Sequence, residues 1–576
     1  ELHRRIADDL ERLPSERAPE AERVGIHWEQ AGEIDRAAPY LRGAAATAAA
    51  RQQYVHALEL AERGGLLPGP TAPEETRAYA HVLFGLAGVL MDLGRLDDAE
   101  GIVQRVFEAA GALEDDMLRA RALVWQGDVE DAARGAGGLD RNALQEAIRT
   151  LPEDGDHARA HFLLGKAAGM SGEREAVRHH LERAEAVCRI EGLSAFRATV
   201  LQRLAGERYL DGDLEEALRL SAEAARMSAA VGKRMNAAVS EIYRIRFAVM
   251  LGKDEDAEAA MRGAIRDIEM SGAAPTAVHA TVYLAALQIA LGRRARALET
   301  LEGALRRLER EPLPLAQVEA LLLRGRLDLI SGDLDRACRT LAEAAELARD
   351  LGDAASESQA LGSETLRLCL AARPQAAAAI VHEALERIPE AMGREARADL
   401  AGILVEAVVF SLPVGLLDEV VEGMGPPSSK EGPTLRLSRR IADGARALAS
   451  PSAPPGPLRD ASEALRDPIF GMRRAEARLP AALFDVEALR REGKADEALA
   501  VARRGLEEAR ALGHVGYEGA LLRLVLHLRP DPEDERAYDA LAERVAGGLA
   551  HEEAREGLLS AWREGTAFLP QLDVGG

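Results

Sequence analysis

The sequence predicts an all-α protein, a right-handed α-solenoid of helix-turn-helix repeats, and three observations carry that expectation. Gly172, Gly212, Gly252, Gly292 and Gly332 recur about every 40 residues, the spacing of stacked two-helix repeats. Aromatic residues make up only 3% of the chain, while alanine-rich stretches recur, as at 44–50 and 376–379. Alanine is the best helix former and lets helices approach closely. Finally, 576 residues exceed what one compact core can serve, whereas a repeat array grows by adding neighbour contacts.

Taken in order, residues 1–20 read as one amphipathic helix, with Leu2, Ile6, Leu10 and Leu13 on one face and an end near Pro14. Val24, Gly25, Trp28, Gly32, Ala37, Leu41 and Ala44 then fit two antiparallel helices joined at a glycine, the tetratricopeptide pattern. Residues 64–73, rich in Gly and Pro, read as a loop and a boundary. Gly94 opens the next turn, with Leu83, Leu86 and Leu90 before it and Ala99, Val103 and Val106 after it. Residues 134–140 are a glycine-rich break.

From there the register is regular. In the Gly212 unit, Leu201, Leu204 and Ala205 face inward before the turn, and Leu214, Ala217, Leu220 and Ala224 after it. Gly212 suits the left-handed conformation that closes a helix, and Asp213 with Glu216 suits a capping box. Gly165 and Gly325 stand seven residues before their turns, where small residues let paired helices touch. The frame continues without its glycine through Ala372 and Leu412. Residues 425–433 and 450–457 break it and flank a helix at 434–449; a last clear unit centres on Gly493, and helices run to about residue 565. The expected division is 1–70, 71–424 and 434–576.

A formal charge of −23 argues against nucleic-acid binding, which needs Lys and Arg to displace phosphate counterions. Three widely spaced cysteines, Cys188, Cys338 and Cys369, offer neither a disulfide framework nor a zinc site and fit a reducing cytoplasm. No signal peptide is visible, and 401–421, the most apolar stretch, carries Glu406, Pro413 and Asp418, so a buried helix pair is expected rather than a membrane span. The chain opens on Glu1 rather than methionine, and is expected to be a fragment or the C-terminal portion of something larger.

His27-Trp28-Glu29-Gln30-Ala31-Gly32-Glu33, followed by Ala37, Ala38, Tyr40 and Leu41, resembles the start of the tetratricopeptide region of bacterial STAND-type signalling ATPases. These include maltose-regulator-like transcription factors and relatives fused to serine/threonine kinase or cyclase domains. Leu2-His3-Arg4-Arg5-Ile6-Ala7 resembles the helix that leaves the ATPase part. The resemblance implies a C-terminal array that senses a protein, peptide or small anionic inducer and restrains an N-terminal ATPase or kinase module through intramolecular contact. A free-standing scaffold or adaptor is the alternative.

Catalytic motifs are missing from the chain itself. Gly165-Lys166-Ala167, Gly232-Lys233-Arg234, Gly252-Lys253-Asp254 and Gly493-Lys494-Ala495 lack the glycine loop and Ser/Thr of a P-loop. No kinase signature is present, and no enzyme activity, cofactor or metal is expected of this chain. His179-His180 is read as exposed, and His551-Glu552-Glu553 is not HExxH because Arg555 follows. The cysteines read as buried small hydrophobes, and Asp97-Asp98 and Glu215-Glu216 as helix-start residues favoured by the dipole. The least ordinary pattern lies six residues before each ladder glycine: Lys166, Gly206, Arg246, Ala286 and Arg326. A cation in every second repeat, with Tyr209, Tyr243 and Tyr283 on the same helices, is a candidate concave-face stripe for carboxylates, phosphates or an acidic segment.

Overall fold

The computed structural model describes residues 1–12, 21–51, 53–67, 72–170, 173–253, 255–387, 393–427, 433–468 and 474–568. Among these residues there are thirty α-helices and no strand. Helices pack on their sequence neighbours, so the all-α solenoid expectation holds. The contacts divide the chain into two compact units. The first comprises Glu1–Glu207, Glu216–Ile245 and Ala259–Ala280; the second comprises Arg208–Glu215, Arg246–Glu258 and Thr281–Gly576.

The turns recur at half the interval read from the sequence. Left-handed glycines stand at Gly192, Gly212, Gly232, Gly252, Gly272, Gly292, Gly332 and Gly352, about every 20 residues, marking turns within and between repeats. Ser194–Leu210, Leu214–Ala230 and Arg234–Met250 are each 17 residues long, and three-residue turns complete the period. Gly172 lies outside the described residues. The turn at Gly212 shows how the turns close. The Gly212 amide donates to the Tyr209 carbonyl at 2.9 Å and the Asp213 amide to the Arg208 carbonyl at 2.8 Å, using carbonyls a helix end leaves free.

Position 372 keeps this geometry without its glycine. Ala372 donates to Cys369 and Arg373 to Leu368, at 2.9 and 2.8 Å, and Ala372 is held at φ 57°. A Cβ there meets the following carbonyl, a strain of about 1–2 kcal/mol. At the next step the left-handed residue is Ser411 at φ 76°, one position before Leu412, so the frame slips by one. Other departures are local. The first helix spans Leu2–Glu11, shorter than expected; residues 13–20 lie outside the described set. Asp333 and Asp353 cap their helices by accepting amide hydrogens. Glu216 accepts from the Arg219 guanidinium at 2.7 Å.

Close packing at the small-residue slot explains the mid-helix glycines. A Cβ on Gly325 would sit 2.7 Å from Leu341, and one on Gly25 2.9 Å from Leu41. Gly165 meets Leu181 in the same way at 3.3 Å. Each leucine is fully buried on the paired helix, so the glycine sets the interhelical distance. Residues 401–421 belong to Gly393–Val409 and Val414–Gly423, a buried helix pair. Among the described residues no helix is long and apolar enough to cross a membrane.

Within each unit the array returns onto itself. In the first, the turn at Leu93–Gly94 meets that at Gly272–Pro275: a Cβ on Gly94 would stand 3.0 Å from Pro275, and one on Gly272 3.8 Å from Leu93. Tyr54 donates to the Met235 sulfur at 3.5 Å across the same seam. In the second, Arg294 donates to the Gly513 carbonyl at 3.2 Å and the Asp335 amide to the Gly548 carbonyl at 3.3 Å.

Candidate functional site

The seam of the first unit encloses a groove of about 710 Å³, within the size range of ligand pockets. One wall is small: Ala46, Ala49, Ala50, Gly85 and Gly88. A Cβ on Gly85 would meet nothing within 4 Å, so that wall opens to the cavity. The lining is also aromatic, with one residue from each of three helices: Trp125, Phe162 and Phe196. Trp125 stacks on Phe84 at a centroid distance of 5.3 Å and donates its Nε1–H to Asp156 at 3.1 Å. Phe162 meets Phe196 edge to face at 5.7 Å. Hydrogen-bonding side chains, among them Gln202 and Asn236, also line the space.

Four charged groups face this space: Asp92, Asp128, Arg159 and Lys233. Arg159 lies 4.1 Å over the Trp125 ring and 4.9 Å from Phe196, with its guanidinium paired to Asp128. Burial pushes the Asp128 carboxyl upward despite that partner. Tyr54 donates to Asp92 at 2.6 Å, and burial raises the Asp92 carboxyl as well. Burial, then the nearby Arg159 charge, lowers the Lys233 ammonium. Among the described residues Lys233 has no ion pair or side-chain hydrogen bond; Asp92 acts on it only at longer range. The groove therefore combines apolar and aromatic residues, amide side chains and, in Lys233, a cation without an ion-pair partner among the described residues.

The sequence-expected stripe falls in both units. Lys166, on the same helix as Arg159 and Phe162, pairs with Asp131 and stands 5.9 Å from the Phe162 ring. Tyr243 belongs to the first unit. In the second unit, Arg246 lies 4.7 Å over the Tyr283 ring, Tyr209 meets Phe247 at 5.8 Å, and Arg326 is ion-paired with Glu406 at 3.2 Å. The Arg326 and Glu406 side chains are only 15% and 12% exposed, so this cation is largely committed to its partner.

The groove residues themselves escaped the sequence reading. Arg159 and Phe162, then Phe196, Thr199 and Gln202, then Asn236 and Val239 follow i, i+3 spacing on successive first helices. That recurrence was visible in the sequence; the seam that encloses it was not.

His179-His180 needs correction. His179 is exposed, but His180 is half-buried and its Nδ1 lies 2.9 Å from Nδ1 of buried His161. His157 stacks edge-on against His161 at 4.9 Å, and its own Nδ1 is buried without a hydrogen-bond partner. Burial, and then the neighbouring imidazoles and Arg183, push His161 down to about 3. The cluster is a packed contact between two helices: among the described residues no group of three or more donors is arranged for a metal ion. Cys188 and Cys369 are buried as expected, whereas Cys338 is partly exposed.

No family model matches the chain, and no curated protein matches it in sequence. Among solved structures it is similar to a Rap protein complexed with competence and sporulation factor, at 13% identity and a TM-score of 0.39, over 76% of this chain and 99% of that one. It is similar to yeast Tom70 at 13% identity and a TM-score of 0.33, over 93% and 99% of the two chains. For the APC/C hetero-tetramer Cut9-Hcn1 the values are 13% and 0.31, over 91% and 96%. The fold rests on the successive helix pairs of the chain itself: an all-α solenoid of two-helix, tetratricopeptide-like repeats.

Proposed function

We propose that this chain is a protein-interaction and ligand-sensing array, the C-terminal regulatory region of a multidomain bacterial signal-transduction ATPase or kinase, working in the cytoplasm. The observation that carries the reading is the first-unit groove, built jointly by successive repeats and enclosed by a seam. A ligand held there touches several repeats at once, so its binding biases their packing. A two-state array of this kind transmits a signal only through differential affinity for its states. The resemblance of residues 27–41 to the start of a STAND-type array supplies the expected neighbour, a nucleotide-hydrolysing or kinase module that the array restrains. Lys166, Arg246 and Arg326, with Tyr209, Tyr243 and Tyr283, are proposed as secondary contacts for an acidic partner, and 1–70, 71–424 and 434–576 as functional segments.

The test is nucleotide hydrolysis by the full-length parent, intact and with the groove filled by Gly85→Trp. Restraint by the array predicts altered basal hydrolysis in the filled variant. Hydrolysis indifferent to the groove, or a parent with no such module, would favour the free-standing adaptor.

A further inference from the structure

We propose that the first-unit groove binds an organic anion with an apolar or aromatic body, its charge against Lys233 and its body against Trp125, Phe162 and Phe196. The inference rests on the ligand-sensing reading and gives its ligand a chemical class.

The charges in the groove lead there. Arg159 is taken by Asp128 and held over two rings. Asp92 accepts the Tyr54 hydroxyl at 2.6 Å, and burial raises its carboxyl. Lys233 remains, with no ion-pair partner among the described residues. A half-buried ammonium without a partner is poorly stabilised, and an anionic ligand supplies the missing charge-assisted hydrogen bond.

The rest of the lining selects the body. Trp125, Phe162 and Phe196 contribute aromatic side chains, and Gly85, Ala46, Ala49 and Ala50 keep the rest of the lining small. A planar or branched apolar group finds aromatic edges and small side chains around the same space. Gln202 and Asn236 line the same space and supply amide donors and acceptors to polar atoms along the ligand. This chemistry is shared by a small aromatic acid and by a peptide whose carboxylate adjoins an aromatic side chain.

Titration of the full chain with 8-anilinonaphthalene-1-sulfonate, an aryl anion, and with N-phenyl-1-naphthylamine, its uncharged counterpart, tests the pairing. We expect saturable binding of the sulfonate, weakened about tenfold or more by Lys233→Met, the loss of one charge-assisted contact. Binding of the uncharged probe is expected to be indifferent to Lys233→Met and weakened by Phe196→Ala. Circular dichroism identical to that of the parent chain establishes that each variant is folded, and Lys233→Arg is expected to restore sulfonate binding. Indole-3-propionate and N-acetyl-Ala-Ala-Phe with a free carboxylate, each as competitor beside its amide, separate the small acid from the peptide. Sulfonate binding unchanged in Lys233→Met, or amides competing as well as acids, overturns the proposal. If the anions fail while Gly85→Trp still alters hydrolysis by the parent, the sensing reading stands and the ligand class is wrong.

Discussion

Acidification is expected to loosen the His157–His161–His180 contact before the rest of the first unit, and the size of the effect follows from one buried imidazole. His161 titrates near 3 in the folded chain against 6.5 in the unfolded one. The folded pKa is depressed, so below the unfolded value the unfolded state binds the extra proton. The stabilisation is therefore complete above about pH 7.5 and is lost as pH falls, amounting to about 2 kcal/mol by about pH 5. His157, His179, His180 and Arg183 all act on His161 in the same sense, whereas Glu153 and Asp154 near His157, and Glu173 near His180, oppose the trend for those rings. Arg141 adds to the repulsion at His180. Repeat arrays open locally, so the assay is amide hydrogen exchange in Gly155–Met170 and Arg174–Ile190, corrected for the intrinsic pH dependence. Protection is expected to drop about thirtyfold between about pH 7.5 and about pH 5, and by much less in His161→Gln, which carries no proton at either pH. Equal losses in parent and variant would refute the assignment to His161.

Three further outcomes are expected. Ala372→Gly relieves a left-handed alanine and, after the added unfolded-chain entropy, is expected to stabilise the array by about 0.5–1 kcal/mol in urea denaturation. Gly325→Ala drives a methyl against buried Leu341 and is expected to destabilise by about 1–3 kcal/mol; Gly303→Ala, in a helix with nothing within 4 Å, is expected to stabilise by up to about 1 kcal/mol. Arg326→Glu sets two carboxylates together opposite Glu406 and is expected to cost about 3–5 kcal/mol, largely recovered in the swap Arg326→Glu with Glu406→Arg. Partner binding lost in the stable swap supports a contact role for Arg326; binding retained removes it from the proposed stripe.

The repeat was legible because helix closure requires a left-handed residue at each turn, and glycine is the residue that takes it freely. The 40-residue spacing is that of the two-helix repeat, and what the sequence left unread is the second turn of each repeat, at Gly192, Gly232, Gly272 and Gly352. Close-packing positions such as Gly325 were also legible, because the contact lies within one repeat and depends on side-chain volume alone. The groove was not. Trp125, Arg159 and Phe196 stand on three successive first helices, and Lys233 comes from a later turn. What brings them to one space is the accumulated rotation between repeats, a sum of small angles that no local pattern encodes. The histidine cluster lies between these cases. His157 and His161 are an i, i+4 pair, but their meeting with His180 depends on the pairing of two helices.

The seam has a consequence for how the first unit folds. An open array can zip from any nucleus, because each repeat touches only its neighbours. Here Leu93–Gly94 must find Gly272–Pro275, a contact of high sequence separation that forms after the intervening helices are in place. Such contacts raise contact order and slow the last step of folding. They also link turns about 180 residues apart in sequence, so a bulky side chain at Gly94 should speed unfolding of helices near Pro275 that it does not adjoin in sequence. The first unit thus contains a loop closed late and lost early, in which damage on one side of the seam is felt on the other.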